Sequence, residues 1–248
     1  MKRRALIIYC DNTHSGSIPG TIVDELQYRN FLTSNLGGEW YDKEIISLRN
    51  PDSKTIRTVI KNFLSIADYS FIVFAGHGYI NTSLAVPTQF IELADVDISI
   101  LDLKTKAKQQ TIIIDACRNR RAVSRLRLNT RSKRISENLI GDPYSTRKLF
   151  EKELRKCGTG ISILYAAEPG QFAIDSNVGG AFSYSLIRSC MLWEQKKGNF
   201  NVFNLREAIT YTQILIKKLF LTDQNPCMQA NRSGSQYFPL AVKINKLK

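Results

Sequence analysis

The sequence predicts an α/β fold built on a mostly parallel central sheet of about six strands, with helices on both faces. Three observations predict it. Ala5 to Cys10, Tyr69 to Ala75, Thr111 to Ala116 and Ile161 to Ala167 are continuous apolar runs of strand length, and strands apolar on both faces belong to sheets covered on both sides. Stretches with apolar residues at helical spacing lie between the early runs, the alternation that builds parallel βαβ units. Finally, 43% of the 248 residues are hydrophobic, enough for a substantial core and too many for a disordered or collagen-like chain.

The elements follow in order. Ala5 to Cys10 is a buried first strand, ended by the Gly- and Pro-containing stretch Asp11 to Gly20. From Thr21 the residues Ile22, Leu26, Phe31 and Leu32 mark a helix that Gly37-Gly38 stops. Glu44 to Leu48 is a short second strand, and Ile56, Val59, Ile60, Phe63 and Leu64 form one face of a helix capped by Asp52 or Ser53. The three remaining apolar runs are strands. A Gly-containing loop from Glu168 to Gly180 leads to helices over Ala181 to Trp193 and Leu205 to Phe220, and a late strand, Gln236 to Val242, closes the domain. No repeat or linker divides the chain, so residues 1–248 read as a single domain with one long, basic, mobile loop at about 118–145.

Charge narrows the partners. The net charge is +13, which raises nucleic acid or an acidic membrane surface. Eight basic residues and no acidic one lie between Arg118 and Arg134, leaving +5 for everything else, so the excess is largely local. That segment lacks interleaved aromatics for base stacking, which makes nucleic acid the lesser reading. No run reaches the roughly 18–20 apolar residues that span a bilayer, and only a short strand-like run follows Met1-Lys2-Arg3-Arg4. A soluble, cytoplasmic chain with an unprocessed start and no membrane partner is expected. The five cysteines (Cys10, Cys117, Cys157, Cys190, Cys227) are odd in number and contain no C-x-x-C pair, against a disulfide framework or a structural zinc site.

In an open parallel sheet, ligands bind beyond the carboxyl ends of the strands. Two such ends carry chemistry. In Phe74-Ala75-Gly76-His77-Gly78 one of only two histidines leaves a strand between glycines, and in Ile114-Asp115-Ala116-Cys117-Arg118 a cysteine stands one step past a strand. A thiolate nucleophile needs an imidazole to lower its pKa and to protonate the leaving amine, and adjacent parallel strands bring His77 and Cys117 together.

These two segments resemble the caspase-like cysteine peptidases, particularly bacterial and metacaspase-type members. A third supports the likeness: Tyr165-Ala166-Ala167-Glu168-Pro169-Gly170-Gln171 and Gly179-Gly180-Ala181-Phe182-Ser183 resemble the strand, substrate loop and helix start that follow the nucleophile there. The resemblance runs from the first strand to Phe238-Pro239-Leu240. It implies Cys117 as nucleophile, His77 as acid and base, and an oxyanion held by the backbone N–H groups of Gly78 and Cys117.

One departure sets specificity. Where caspases have the glutamine that helps hold an aspartate of the substrate, two residues before the nucleophile, this chain has Asp115, as metacaspases and paracaspases do. Asp175 falls where caspases have a substrate-binding arginine, and Asp24 matches an acidic pocket position of metacaspase-type enzymes. The resemblance therefore implies cleavage of a protein substrate after Arg or Lys.

The basic segment is then a cleavable loop. The chain is expected to be cut, by itself or by another protease, within Arg118 to Arg134 or near Arg147-Lys148, the cut ordering the site of a zymogen. An activating protein partner is the other route to regulation. The resemblance suggests regulated proteolysis, such as cell death or antiphage defence. No cofactor or metal is expected. Calcium, which some metacaspase-type enzymes need, would find oxygens at Asp95-Val96-Asp97 or at Asp102, acidic residues too sparse for a cage. Cys10 and His14, four apart, read as an incidental pair. Two other classes stay open: a non-catalytic caspase-like scaffold or adaptor, and the nucleic-acid module.

Overall fold

The computed structural model describes residues 1–119, 126–128, 143–197 and 201–244. The chain begins with β1 (Arg3–Tyr9), a small hairpin of β2 (Asn12–Thr13) and β3 (Gly16–Ser17), and α1 (Gly20–Thr33). β4 (Ile45–Arg49) and α2 (Ser53–Val59) follow, the latter running on into a π-helical turn, Ile60–Leu64. Next come β5 (Tyr69–Ala75), an antiparallel three-stranded sheet of β6 (Gly78–Asn81), β7 (Thr88–Glu92) and β8 (Asp97–Ser99), and β9 (Gln109–Asp115). The second half holds β10 (Leu126–Leu128), α3 (Pro143–Lys156), β11 (Gly160–Tyr165), β12 (Ile174–Ser176) and α4 (Ala181–Glu194). It ends with β13 (Val202–Asn204), α5 (Leu205–Phe220), β14 (Cys227–Arg232) and β15 (Pro239–Val242).

The central sheet has six strands in the order β14-β11-β9-β5-β1-β4. All its pairs are parallel except β14, which runs antiparallel to β11. Strand alternation divides the core. Ala5, Ile7, Phe71, Val73, Ile113 and Leu164 join α1, α3, α4 and α5 on one face. Leu6, Ile8, Ile72, Phe74, Ile112 and Ile114 face α2, its π-helical turn and the small β6–β8 sheet on the other. Every residue of β5 and β9 is buried, as continuous apolar runs require.

Local chemistry sets the helix limits. Asp52, the first of the two expected caps, accepts a bond from the Thr55 amide at 2.6 Å and so opens α2. Asn204 and Glu207 form a capping box at the start of α5. The first helix stops at Thr33, ahead of the expected glycines. Gly38 then turns with a φ of +82°, where any Cβ would strike the Phe150 ring at 2.5 Å.

The structure corrects the end of the chain. The late strand expected over Gln236 to Val242 is shorter, Pro239–Val242, and it pairs with β13 outside the central sheet. The sixth strand is β14. Of the expected mobile loop, residues 120–125 and 129–142 lie outside the described residues. Arg147 lies within α3, its guanidinium 2.8 Å from both Glu44 carboxylate oxygens. Arg147-Lys148 is thus helical and engaged, whereas a protease reads extended chain. Among the described residues, no helix is long and apolar enough to cross a membrane.

Candidate active site

β5 and β9 are neighbours in register, with Ala75 opposite Asp115. The ladder continues one step further, the Gly76 amide donating to the Asp115 carbonyl at 3.1 Å. His77 and Cys117 therefore each stand two residues beyond the same rung, at the carboxyl end of the two innermost strands. Both are buried, at 5% and 4% exposure. The Cys117 Sγ accepts the Ala173 amide at 3.3 Å and lies 3.7 Å from the Ala173 carbonyl oxygen, to which the thiol donates.

Gly78 opens β6 against the segment that carries Cys117. A Cβ there would lie 2.7 Å from the Phe90 carbonyl oxygen, 2.9 Å from the Ala116 Cβ and 3.0 Å from the Gln89 Nε2, so only glycine fits. Gln89 went unnoticed in the sequence. Buried in β7, it donates from Nε2 to the Cys117 carbonyl at 2.9 Å and accepts at Oε1 from the Arg118 Nε at 3.3 Å. No motif flags it, because β6 and β7 lack the apolar runs that reveal buried strands.

Arg118 is also fixed. Its guanidinium lies 3.9 Å from the Tyr165 ring centroid and donates to the Ala167 carbonyl at 3.2 Å and the Cys227 Sγ at 3.3 Å. Its amide and carbonyl bond Gln171 and Gly170. The first residue of the basic segment thus belongs to the site's framework.

The three predicted carboxylates come together. Asp24, Asp115 and Asp175 are 0%, 0% and 2% exposed. Asp115 Oδ2 accepts from the Ser183 amide at 3.0 Å and hydroxyl at 2.6 Å, while Asp24 Oδ1 accepts from the Gly180 amide at 2.8 Å. Glycines allow this close approach. A Cβ on Gly180 would meet Asp115 Oδ2 at 2.2 Å, one on Gly179 would meet Asp24 Oδ1 at 2.3 Å, and one on Gly20 would meet Asp175 Oδ1 at 1.9 Å. Gly20, Asp24 and Tyr28 share one face of α1 at successive i, i+4 spacings. Burial pushes the Tyr28 hydroxyl well above its ordinary pKa; Ser183 opposes this, and the Asp115 and Asp24 charges add to it.

Asp175 sits on β12, which pairs in parallel with β10 so that Arg127 is its register partner. A cavity of about 230 Å³ lined by Phe172, Ile174, Thr222 and Gln224 adjoins this strand.

The other cysteines are held as thiols. Burial pushes Cys10 up to about 12 and Cys157 up to about 11, and it raises Cys190 and Cys227 as well. Of the oxygens considered for calcium, Asp95 is bonded to the Ser53 amide and hydroxyl at 2.8 Å, Asp97 takes the Tyr79 hydroxyl, and Asp102 is exposed on a 3-10 turn. They do not fit an all-oxygen calcium cage.

Residues 2–237 match the family model described as a caspase domain. The chain belongs to the caspase-domain family. Among solved structures, this caspase-domain protein is similar to the crystal structure of caspase-1 from Spodoptera frugiperda. The TM-score is 0.59 at 16% identity, over 92% of this chain and 86% of that one. A search of curated protein sequences finds no significant match. The family makes the protein a caspase-like cysteine peptidase, a hydrolase acting on protein substrates.

Proposed function

We propose that the protein is a cysteine endopeptidase that cleaves after Arg or Lys, with Cys117 and His77 as its dyad. The observation that carries the specificity is the convergence of Asp24, Asp115 and Asp175 around Gly20, Gly179 and Gly180. A cluster of carboxylates attracts the guanidinium or ammonium of a basic substrate residue.

In the reaction, the Cys117 thiolate attacks the carbonyl carbon and the oxyanion takes the Gly78 and Cys117 amides. The C–N bond breaks as the His77 imidazolium gives its proton to the leaving amine. Water then loses a proton to His77, its oxygen attacks the thioester, and the thiolate departs. No metal or cofactor takes part in these steps. Regulation by a cut in the basic segment Arg118 to Arg134, or by a partner protein, fits a role in regulated proteolysis such as cell death or antiphage defence.

Reporter peptides ending in Arg, Lys or Asp test the reading, with and without calcium, on wild type and Cys117→Ala, with chain integrity followed on a gel. Cleavage after Arg or Lys that vanishes in the variant supports it. Cleavage after Asp overturns the pocket assignment, and an uncut chain silent on every peptide favours a scaffold.

A further inference from the structure

A second cluster lies behind the catalytic histidine. His14, in the turn between β2 and β3, points its Nε2 at Glu92 Oε2, 3.6 Å away, and at Asp97 Oδ1, 3.7 Å away. One ligand atom from each residue lies within 4.8 Å of the other two, and this is the only such group of three among the described residues. We propose that His14, Glu92 and Asp97 bind a divalent transition-metal ion of the zinc class.

The distances carry the argument. They exceed ordinary hydrogen bonds and lie in ion-pair range, and two ligands each ~2.1 Å from one tetrahedral ion lie ~3.4 Å apart, so the two His14 pairs need close only slightly, while the Glu92–Asp97 pair must draw within ~4.2 Å. Asp97 Oδ1, the atom facing His14, has no hydrogen-bond donor, although the side chain is 20% exposed and its Oδ2 takes the Tyr79 hydroxyl. A buried carboxylate oxygen of that kind calls for a cation.

Hydroxyls already hold three of the four carboxylate oxygens, Glu92 Oε2 among them. Thr13 donates to Glu92 Oε2 at 2.9 Å, Ser15 to Glu92 Oε1 at 2.8 Å, and Tyr79 to Asp97 Oδ2 at 2.9 Å. Hydroxyl donors of this kind aim carboxylates at a metal. An imidazole with two carboxylates selects zinc-class ions over calcium, which takes six to eight oxygens. His14 is 61% exposed, which leaves an entry path and room for water as a fourth ligand.

The site touches the catalytic machinery through one bond, the Glu92 amide donating to the His77 carbonyl at 3.1 Å. An ion there clamps the β2–β3 hairpin to β7 and β8, and so stiffens the strand that supports His77.

The test uses the full chain carrying Cys117→Ala, which removes self-cleavage and metal capture by the nucleophile. Calorimetric titration with Zn²⁺, Mn²⁺, Ca²⁺ and Mg²⁺ is expected to show one Zn²⁺ site, weakened more than about tenfold by His14→Ala and by Asp97→Asn. Bound Co²⁺ should give d–d bands without a thiolate charge-transfer band. Unchanged Zn²⁺ binding in His14→Ala, a thiolate band, a preference for Ca²⁺, or no binding at all each overturns the assignment. His14 is exposed, so that variant is expected to keep its metal-free melting temperature. Because binding is read without turnover, its failure is separable from that of the peptidase reading.

Discussion

Ala75 and Asp115 face each other across the two innermost strands of the sheet, and the residue two places beyond each is a group able to do acyl-transfer chemistry. The parallel register, not proximity in sequence, brings His77 level with Cys117. Asp115 itself is held by the Ser183 amide and hydroxyl. One strand end thus presents both the proposed nucleophile and the group proposed to choose the substrate.

Removing either member of the dyad tests the chemistry directly. Cys117→Ala and His77→Ala are each expected to lower kcat/KM for an Arg peptide by roughly 10⁴-fold or more. Melting temperatures should stay near wild type. Residual turnover in Cys117→Ala approaching that of wild type is the result that sinks the assignment.

The pocket carboxylates predict a change in selectivity. Asp115→Asn keeps the shape but loses a buried charge, and kcat/KM for Arg and Lys peptides should fall about 100-fold. Gly180→Ala places a methyl against Asp115 Oδ2 and should act the same way through displacement. Peptide profiling checks both, and an unaltered preference for basic residues in Asp115→Asn counts against the pocket.

Gln89 is a positioning residue. Gln89→Glu retains an acceptor for Arg118 but has no N–H for the Cys117 carbonyl. We expect kcat to drop about 10- to 100-fold with KM little changed. The rate at which iodoacetamide alkylates Cys117 across pH should shift as well. A merely structural role would move stability and leave that pH profile in place.

Acid stability follows from Glu44. Burial pushes its carboxyl up from 4.5, but bonds from Arg147 and the Tyr41 amide and the charges of Arg3 and Arg147 more than offset this, so its pKa lies below the ordinary value. A depressed carboxyl contributes stability that is fully present above the unfolded value and is lost as pH falls through the folded one. Glu44→Gln should therefore cost roughly 3 kcal/mol at neutral pH, where it leaves Arg3 and Arg147 underpaired. The gap between variant and wild type should close as pH drops below about 4.5. Thermal unfolding from pH 7 to 3 measures it; a gap of constant size would be evidence against the linkage.

Legibility in the sequence followed the physics of burial. Tyr69 to Ala75 and Leu205 to Phe220 could be bounded to the residue, because a strand buried on both faces and a capped amphipathic helix each impose a pattern. β14 carries Cys-Met-Gln-Ala-Asn-Arg and no such pattern. Its place comes from pairing with β11 at the sheet edge, a tertiary contact. The small sheet β6–β8 was hidden likewise, and Gln89 with it. His77 and Cys117 were visible from strand ends, whereas the three aspartates needed the family likeness to be linked, since Asp24 and Asp175 lie far apart in sequence and meet only through α1, β12 and the α4 start.

Innermost strands also set where the molecule can breathe. β5 and β9 are each bonded along both edges, so their amides should exchange with deuterium only when the whole domain opens. The segments that present His77 and Cys117 grow straight out of that slowest-exchanging region. Local melting thus leaves the roots of the proposed dyad in place, and what local opening can loosen is the surrounding wall: the 168–180 segment that meets Arg118 and carries Asp175 and the glycines against Asp24 and Asp115.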